Sequence, residues 1–509
     1  MELDDDVCDR ARLARDARFD GHFFIAVRST RVYCRPICPS RTARRENVRY
    51  FRTAEEAVTA AYRPCLRCRP ETAPGTPAWN GTSATVTRAL RLMIEGEMPE
   101  RSIGALSRRL GISPRHLDRL FQLHLGASPI AIAKTWRVHF AKELISDTDL
   151  PMFRVAAASG FRSVRRFNSS IHETYGRTPS ELRGRGRATA GAGADEYVFR
   201  LPYRPPYDWD SFLAFLAVRA TPGVEEVVNG TYRRTFALRG RHGILEVRHV
   251  DSARALEARV RFPEPASLLP IVLRLRGMFD VGADPRAIAE HLRADPLLRP
   301  LVARHPGLRV PGAWDGFELA VRAVLGQQVS VAAASTLAGR IARAHGEPLT
   351  IPDSGGLTVV FPTPRALAAA TLTGMPSTRA AAISALAAAA DSGRLTFSDS
   401  DPEVLAGLSA IRGIGEWTAQ YVAMRALRQP DAFPADDLVL LRMAGGGNAT
   451  TAAALIKRAE SWRPWRAYAA IHLWRAAGDP AAESRRHAGS TSRARPAASV
   501  SIPRSAESR

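Results

Sequence analysis

Lysine is nearly missing from this chain of 509 residues. Lys134, Lys142 and Lys457 are the only ones, and the rest of the 72 Lys+Arg positions are arginine. Any amine chemistry in the second half therefore rests on Lys457 alone. Cysteine stops early: Cys8, Cys34, Cys38, Cys65 and Cys68 are the full set, so nothing beyond residue 68 can use a thiol as nucleophile or ligand. No apolar run approaches the about 20 residues needed to span a bilayer. The start, "MELDDDVCDR", is acidic and lacks the basic-then-apolar pattern of a signal peptide. Together these make the cytosol the expected compartment, with no membrane partner. Acid is also short, at 50 Asp+Glu, giving a net charge of +22 and a pI near 10.9. Positive charge on this scale calls for a polyanion, and nucleic acid is the usual one.

The length exceeds what one core can organise, so two to four domains are expected. "RPETAPGTPAWNGTS" (69–83) and "LRGRGRATAGAGADE" (182–196) read as linkers. From about Ala476 the chain has almost no apolar residues and reads as a disordered basic tail. Between Tyr197 and about Pro265, "GILEVRHV" and "LEARVRF" alternate as strands of a small sheet do. After Pro270 the pattern is helical and alanine-rich. The linkers suggest semi-independent domains and a monomer.

Cys34 and Cys38 in "YCRPIC", with Cys65 and Cys68 in "RPCLRC", are two close thiol pairs a couple of dozen residues apart. That spacing suits one tetrahedral Zn²⁺, and a purely structural ion is the plain alternative. Arg31, Arg35, Arg41, Arg44 and Arg45 crowd the first pair and suggest a phosphate-binding face. "FFIAVRSTRVYCRPICPSRTARRENVRYF" and "AYRPCLRCRPE" resemble the N-terminal domain of the Ada family of bacterial adaptive-response proteins. The resemblance implies that Cys34 accepts a methyl group from a DNA methylphosphotriester. Cys8 lies outside the pattern.

"SIGALSRRLGISPRHLDRLFQLHLG" and, about fifty residues on, "LPMFRVAAASGFRSVRRFNSSIHETYG" share one layout. Each has a helix, a glycine turn (Gly111, Gly160) and a second, basic helix with Arg115, His116 and Arg119 or Arg162, Arg165 and Arg166. A basic helical bundle is the plain alternative. The tandem resembles the AraC-type DNA-binding domain, which implies two units reading adjacent major grooves.

In "LSAIRGIGEWTAQYVAMRAL", Gly413 and Gly415 form a turn whose backbone N–H groups can approach a phosphate. With "FELAVRAVLGQQVSVAAA", "AFPADDLVL" and "RPWRAYAAIHLW" it resembles the helix-hairpin-helix DNA glycosylases of the AlkA type, from about Tyr203 to Trp474. The resemblance makes Asp437 the catalytic carboxylate, Trp417, Tyr421 and Trp474 the base pocket, and Gln328 the wedge that fills the gap left by a flipped base. Asp436 is left as the helix cap or a structural partner, and Trp462 and Trp465 as core. Trp417 stands where strand-cutting relatives carry lysine, so a monofunctional enzyme is expected.

The expected fold is thus multidomain and mainly α: a small Zn-bound α+β module (1–75), an all-α double helix-turn-helix domain (84–184), a linker (185–196), a small α+β subdomain (197–302), an all-α helix-hairpin-helix glycosylase domain (303–478) and the tail (479–509). The expected function is a methylphosphotriester sensor and transcriptional activator joined to a 3-methyladenine DNA glycosylase. One Zn²⁺ and double-stranded DNA, alkylated and promoter, are expected partners, and the resemblance adds RNA polymerase. The competing reading is a sequence-specific regulator whose glycosylase half only binds DNA. A second, O6-methylguanine-directed methyltransferase is excluded, since its Pro-Cys-His-Arg motif is absent.

Overall fold

A computed structural model describes residues 4–70, 73, 84–94, 103–148, 150–183, 195–353, 355–397, 401–445 and 450–478. Most of both linkers, the glycine-rich segment 446–449 and the tail from 479 lie outside these residues. The chain is multidomain and mainly α, with two separate sheets. No helix among the described residues is long and apolar enough to cross a membrane.

The first sheet has the order β3-β1-β2-β4, with β1 Phe24–Val27, β2 Val32–Cys34, β3 Val48–Phe51 and β4 Arg63–Pro64. Strand alternation covers both faces. Phe24 and Ala26 pack with Tyr33, Phe51 and Tyr62. Ile25 faces the other way, with Phe23, Val48, Tyr50 and Cys8. Burial pushes the Cys8 thiol up to about 12, as befits a packing residue.

The helix-turn-helix units are Ile103–Arg109 with Pro114–Leu125, and Met152–Ala158 with Val164–Tyr175. Each second helix opens on a serine cap. Ser113 Oγ accepts from His116 N at 3.2 Å and Ser163 Oγ from Arg166 N at 3.3 Å. Gly160 holds the second turn at φ +76°, a left-handed value that glycine adopts without strain. Between the units runs the connecting helix Pro129–Asp147.

The second sheet has the order β5-β9-β8-β7-β6, all antiparallel, from β5 Glu196–Pro202, β6 Glu225–Val228, β7 Thr231–Leu238, β8 Arg241–Val250 and β9 Ala255–Arg261. It is locked to the helix Gly316–Leu325 by buried ion pairs. Arg234 donates to Glu318 at 2.6 Å, and Arg322 donates to Glu225 at 2.7 Å and to Glu318 at 2.9 Å. Two guanidinium groups and two carboxylates balance there, which is the condition for keeping charge away from water.

The expectation of semi-independent domains is overturned. Val138 and Phe140 of the connecting helix and Phe167 and Tyr175 of the second helix-turn-helix share one core with Tyr197, Phe199, Leu256 and Leu275. The Phe140 and Phe199 rings stack with centroids 6.1 Å apart, and Arg276 donates to Glu143 at 3.1 Å. Linker composition describes the covalent tether. It says nothing of the apolar faces on either side, which the hydrophobic effect brings together.

Candidate functional site

Parallel pairing of β2 with β4 sets the two thiol pairs side by side. Cys34 ends β2, and Cys65 N donates to Tyr33 O at 2.9 Å just past β4. The four Sγ atoms lie within 4.8 Å of one another, with Cys38 and Cys65 4.0 Å apart. A tetrahedral zinc with bonds near 2.3 Å needs sulfur–sulfur edges of about 3.8 Å, so the donor set fits. No other such set occurs among the described residues. Hydrogen bonding with Cys38 and then Cys65 drives the Cys34 thiol far above the usual range, while Cys34 and Cys65 pull Cys38 far below it. Sulfurs this close compete for negative charge, and a divalent cation removes the competition. Cys34 and Cys38 are half-buried, whereas Cys65 and Cys68 are buried.

The arginines divide. Arg41 and Arg44 are exposed beside the first pair. Arg45 binds Asp5 at 2.6 Å, and Arg31 lies over the Tyr62 ring. Arg35 is only 7% exposed and donates to Asp20, so it does not belong to a phosphate-binding face.

The second centre is built from three helices. Gly413 takes φ +94°, and a Cβ there would come within 3.1 Å of Ala382 Cβ. Gly415 is the N-cap of the hairpin helix Glu416–Arg425. Gln327 Nε2 donates to Gly413 O at 2.9 Å and Thr418 Oγ1 at 3.0 Å, tying the hairpin to the loop before the helix Val331–His345. Gln328, next along, is exposed and left-handed at φ +56°, uncommon for a residue with a side chain.

Asp437 begins the helix Leu438–Ala444. Its Oδ1 accepts from Val439 N and Leu440 N, both at 3.0 Å, and from Trp474 Nε1 at 3.1 Å. Its Oδ2 accepts from Trp417 Nε1 at 2.9 Å. Asp437 is therefore itself the helix cap, and Asp436, expected in that role, is exposed. A pattern of two adjacent acids leaves the helix start uncertain by one residue, and the helix begins after the second.

The three aromatics expected to form a base pocket come together around this carboxylate. Trp417 and Tyr421, one helical turn apart, stack at 5.3 Å and 10°, and Tyr421 meets Trp474 at 6.1 Å. Sequence reasoning missed three neighbours. Arg425 donates to Tyr421 Oη at 2.7 Å, its guanidinium lies 5.0 Å from the Phe215 ring, and Arg219 covers the same ring at 3.7 Å. The signal for Arg425 was its spacing, two helical turns from Trp417 on the same face. Burial raises the Tyr421 phenol, but Arg425, Arg219 and Arg322 together bring it below the usual value. Trp462 is core, 1% exposed.

On the helix-turn-helix units, Arg115, Arg119, Arg162, Arg165 and Arg166 are exposed, and His116 is half-buried with Nδ1 3.2 Å from Arg119.

A thiolate metal module, tandem helix-turn-helix units and a helix-hairpin-helix domain in one chain define a class of fused regulatory and repair proteins. Family models match in the same order: the metal-binding domain of Ada over residues 7–71, a helix-turn-helix domain over 106–185 and the AlkA N-terminal domain over 198–315. A Mycobacterium tuberculosis protein named "Probable bifunctional transcriptional activator/DNA repair enzyme AlkA" is 42% identical over 484 residues, covering 93% of this chain and 97% of that one. DNA-3-methyladenine glycosylase 2 of Escherichia coli is 37% identical and covers 54% of this chain and 96% of itself. Ada of Escherichia coli, a bifunctional transcriptional activator/DNA repair enzyme, is also 37% identical and covers 37% of this chain and 51% of itself. The chain belongs to the family of AlkA-type bifunctional transcriptional activator/DNA repair enzymes. Cys34, Cys38, Cys65 and Cys68 are the ligands of one structural zinc.

Proposed function

We propose that the chain joins two responses to alkylated DNA. One is hydrolytic release of alkylated bases such as 3-methyladenine. The other is a single-turnover methyl transfer from a DNA methylphosphotriester to Cys34, which turns the N-terminal half into a promoter-binding activator.

The environment of Asp437 carries the first reading. Its Oδ1 is filled by three N–H donors, while Oδ2 has one donor and keeps lone-pair capacity. When the N-glycosidic bond breaks, its electron pair leaves with the base and positive charge builds on the sugar. A carboxylate oxygen with a free lone pair stabilises that charge and orients or deprotonates the water that adds to it. The rings of Trp417, Tyr421 and Trp474 offer electron-rich faces to an electron-poor purine. Gly413 and Gly415 hold the DNA backbone, and Gln328 fills the vacated stack. Lys457, on the helix Ala452–Ala459, is the one lysine beyond Lys142, so hydrolysis without strand cutting is the expected outcome. Duplexes carrying 3-methyladenine or 7-methylguanine, given to wild type and Asp437→Asn, test this. Equal release from both, or none from wild type, removes the enzyme reading and leaves a binding module.

For the sensor, zinc keeps its sulfurs deprotonated at neutral pH. Cys34 Sγ attacks the methyl carbon, the S–C bond forms, the C–O bond breaks and the phosphodiester leaves as an anion. The module loses one negative charge and is repelled less by phosphates, with Arg41 beside it. Peptide mass spectrometry after reaction with a methylphosphotriester duplex should place the methyl on Cys34, and a methyl on another cysteine would show the acceptor misassigned. The two basic helices, through Arg115, His116, Arg119, Arg165 and Arg166, with Arg162 in the turn ahead of the second helix and not on it, read adjacent major grooves and present RNA polymerase with a bound activator. Because both reading heads lie in one chain, the protein acts as a monomer.

A further inference from the structure

The zinc module touches the glycosylase half directly, through a chain of buried and half-buried polar groups. Arg35 follows Cys34 in sequence. Its backbone N–H lies 3.3 Å from the ligand Cys68 Sγ, its Nη1 donates to Cys68 O at 3.1 Å, and its Nε donates to Asp20 Oδ1 at 2.8 Å. Arg35 and Asp20 are 7% and 4% exposed. Two residues on, His22 Nε2 lies 3.2 Å from Asp284 Oδ2. Asp284 caps the glycosylase-side helix Pro285–Leu292 by accepting from Arg286 N at 3.1 Å and Ala287 N at 3.2 Å. Arg204, with no exposed surface, donates to Gly282 O and Ala283 O just ahead of that helix. Burial pulls the Arg204 guanidinium down to about 10, opposed by attraction to Asp284 and then Asp20, so it is felt by acids from both halves. At the rim, the Arg286 guanidinium lies 5.5 Å from the Phe19 ring.

Each half brings one cation and one anion, and the contacts that cross the boundary are His22 with Asp284, Arg286 with the Phe19 ring, and the attraction of Arg204 to Asp20. Arg35 and Asp20 come from the zinc module, and Arg204 and Asp284 from the glycosylase half. Asp20 is the buried acid that both Arg35 of its own module and Arg204 of the other half attract, and a buried charge that loses its partner is strongly destabilising. Arg35 is also fixed by the second thiol pair, so its position depends on the zinc ligands being gathered.

We propose that this contact is an intramolecular docking surface that couples the zinc centre to the glycosylase half: when the ligands disperse, Arg35 and Asp20 lose their fixed positions and the helix Pro285–Leu292 loses protection. The partner of this surface is the chain's own N-terminal module, and the inference stands whether or not that half releases bases.

Hydrogen–deuterium exchange on the full chain tests it. Peptides spanning 280–292 are compared in the zinc-loaded protein and after chelation, with zinc release measured. Exchange there should accelerate at least tenfold on chelation, while the remote helix Ser377–Asp391 stays unchanged. Asp20→Asn, with zinc content verified, should show the faster exchange while zinc-loaded, and chelation should add little. Asp284→Asn, approaching from the other half, should behave alike and serves if the first variant does not fold. Unchanged exchange at 280–292 on chelation overturns the proposal. So does equal acceleration at 377–391, or an Asp20→Asn protein that responds to chelation as wild type does.

Discussion

In the proposed function Asp437 serves the fold through Oδ1 and the chemistry through Oδ2. Asparagine caps helices about as well as aspartate, so Asp437→Asn should leave the thermal unfolding midpoint almost unmoved while base release falls about 100-fold or more. Asp437→Ala should lose the activity and also about 1 kcal/mol of stability, read by denaturant titration. The acid pair and its aromatic surroundings were legible in the sequence; which acid starts the helix was not, because "PADD" satisfies a cap at either position. Arg425 was hidden for a different reason. An arginine eight residues past a tryptophan looks like a solvated charge until the fold buries it at 4% exposed, donating to Tyr421, Pro311 O and Gly312 O. Arg425→Met should therefore free the Tyr421 ring and lower kcat/KM about tenfold, with the far-ultraviolet spectrum unchanged.

Short elements carry much of the specificity of assembly. The hairpin turn at Gly413 needs a left-handed residue with no side chain, because Ala382 stands 3.1 Å from where a Cβ would lie. Gly413→Ala should cost about 1–3 kcal/mol and weaken binding to undamaged duplex, measured by chemical denaturation and by titration. The connecting helix Pro129–Asp147 meets the zinc module through two buried groups of opposite pH preference. Burial lifts Glu55 from 4.5 to about 7 and lowers His139 from 6.5 to about 3. Between 4.5 and 7 the folded state holds the Glu55 proton more tightly, so that contribution is complete at low pH and lost as pH rises through 7. The His139 contribution runs the other way: it is present above 6.5 and lost as pH falls toward 3. Glu55→Gln should accordingly stabilise the protein at pH 8 and do little at pH 4, seen in thermal melts at the two values. The helix-turn-helix units were readable because serine caps and glycine turns are local signals. The β6–β7 hairpin carried one as well, at Asn229 and Gly230, both left-handed.

At the scale of the molecule, composition spoke to partners and not to assembly. A net charge of +22 anticipates a polyanion, and binding to undamaged duplex should weaken steeply with salt, a log–log slope set by the phosphates neutralised. Arg162→Ala together with Arg165→Ala should make that slope shallower by about 2, measured between 50 and 200 mM salt. What composition could not reveal is that the pieces are packed on one another. The core shared by Phe140 and Phe199 and the polar contact at Asp284 arise from surfaces more than fifty residues apart in sequence. Those contacts make the fusion more than two repair functions on one transcript. Inheritance of the halves is bound together: a chimera taking its zinc module from one relative and its glycosylase from another would need matching choices at positions 20, 22, 204 and 284. Substitutions at these four sites should therefore be accepted in compensating sets, so the boundary between the two halves is written in side chains as well as in the linker.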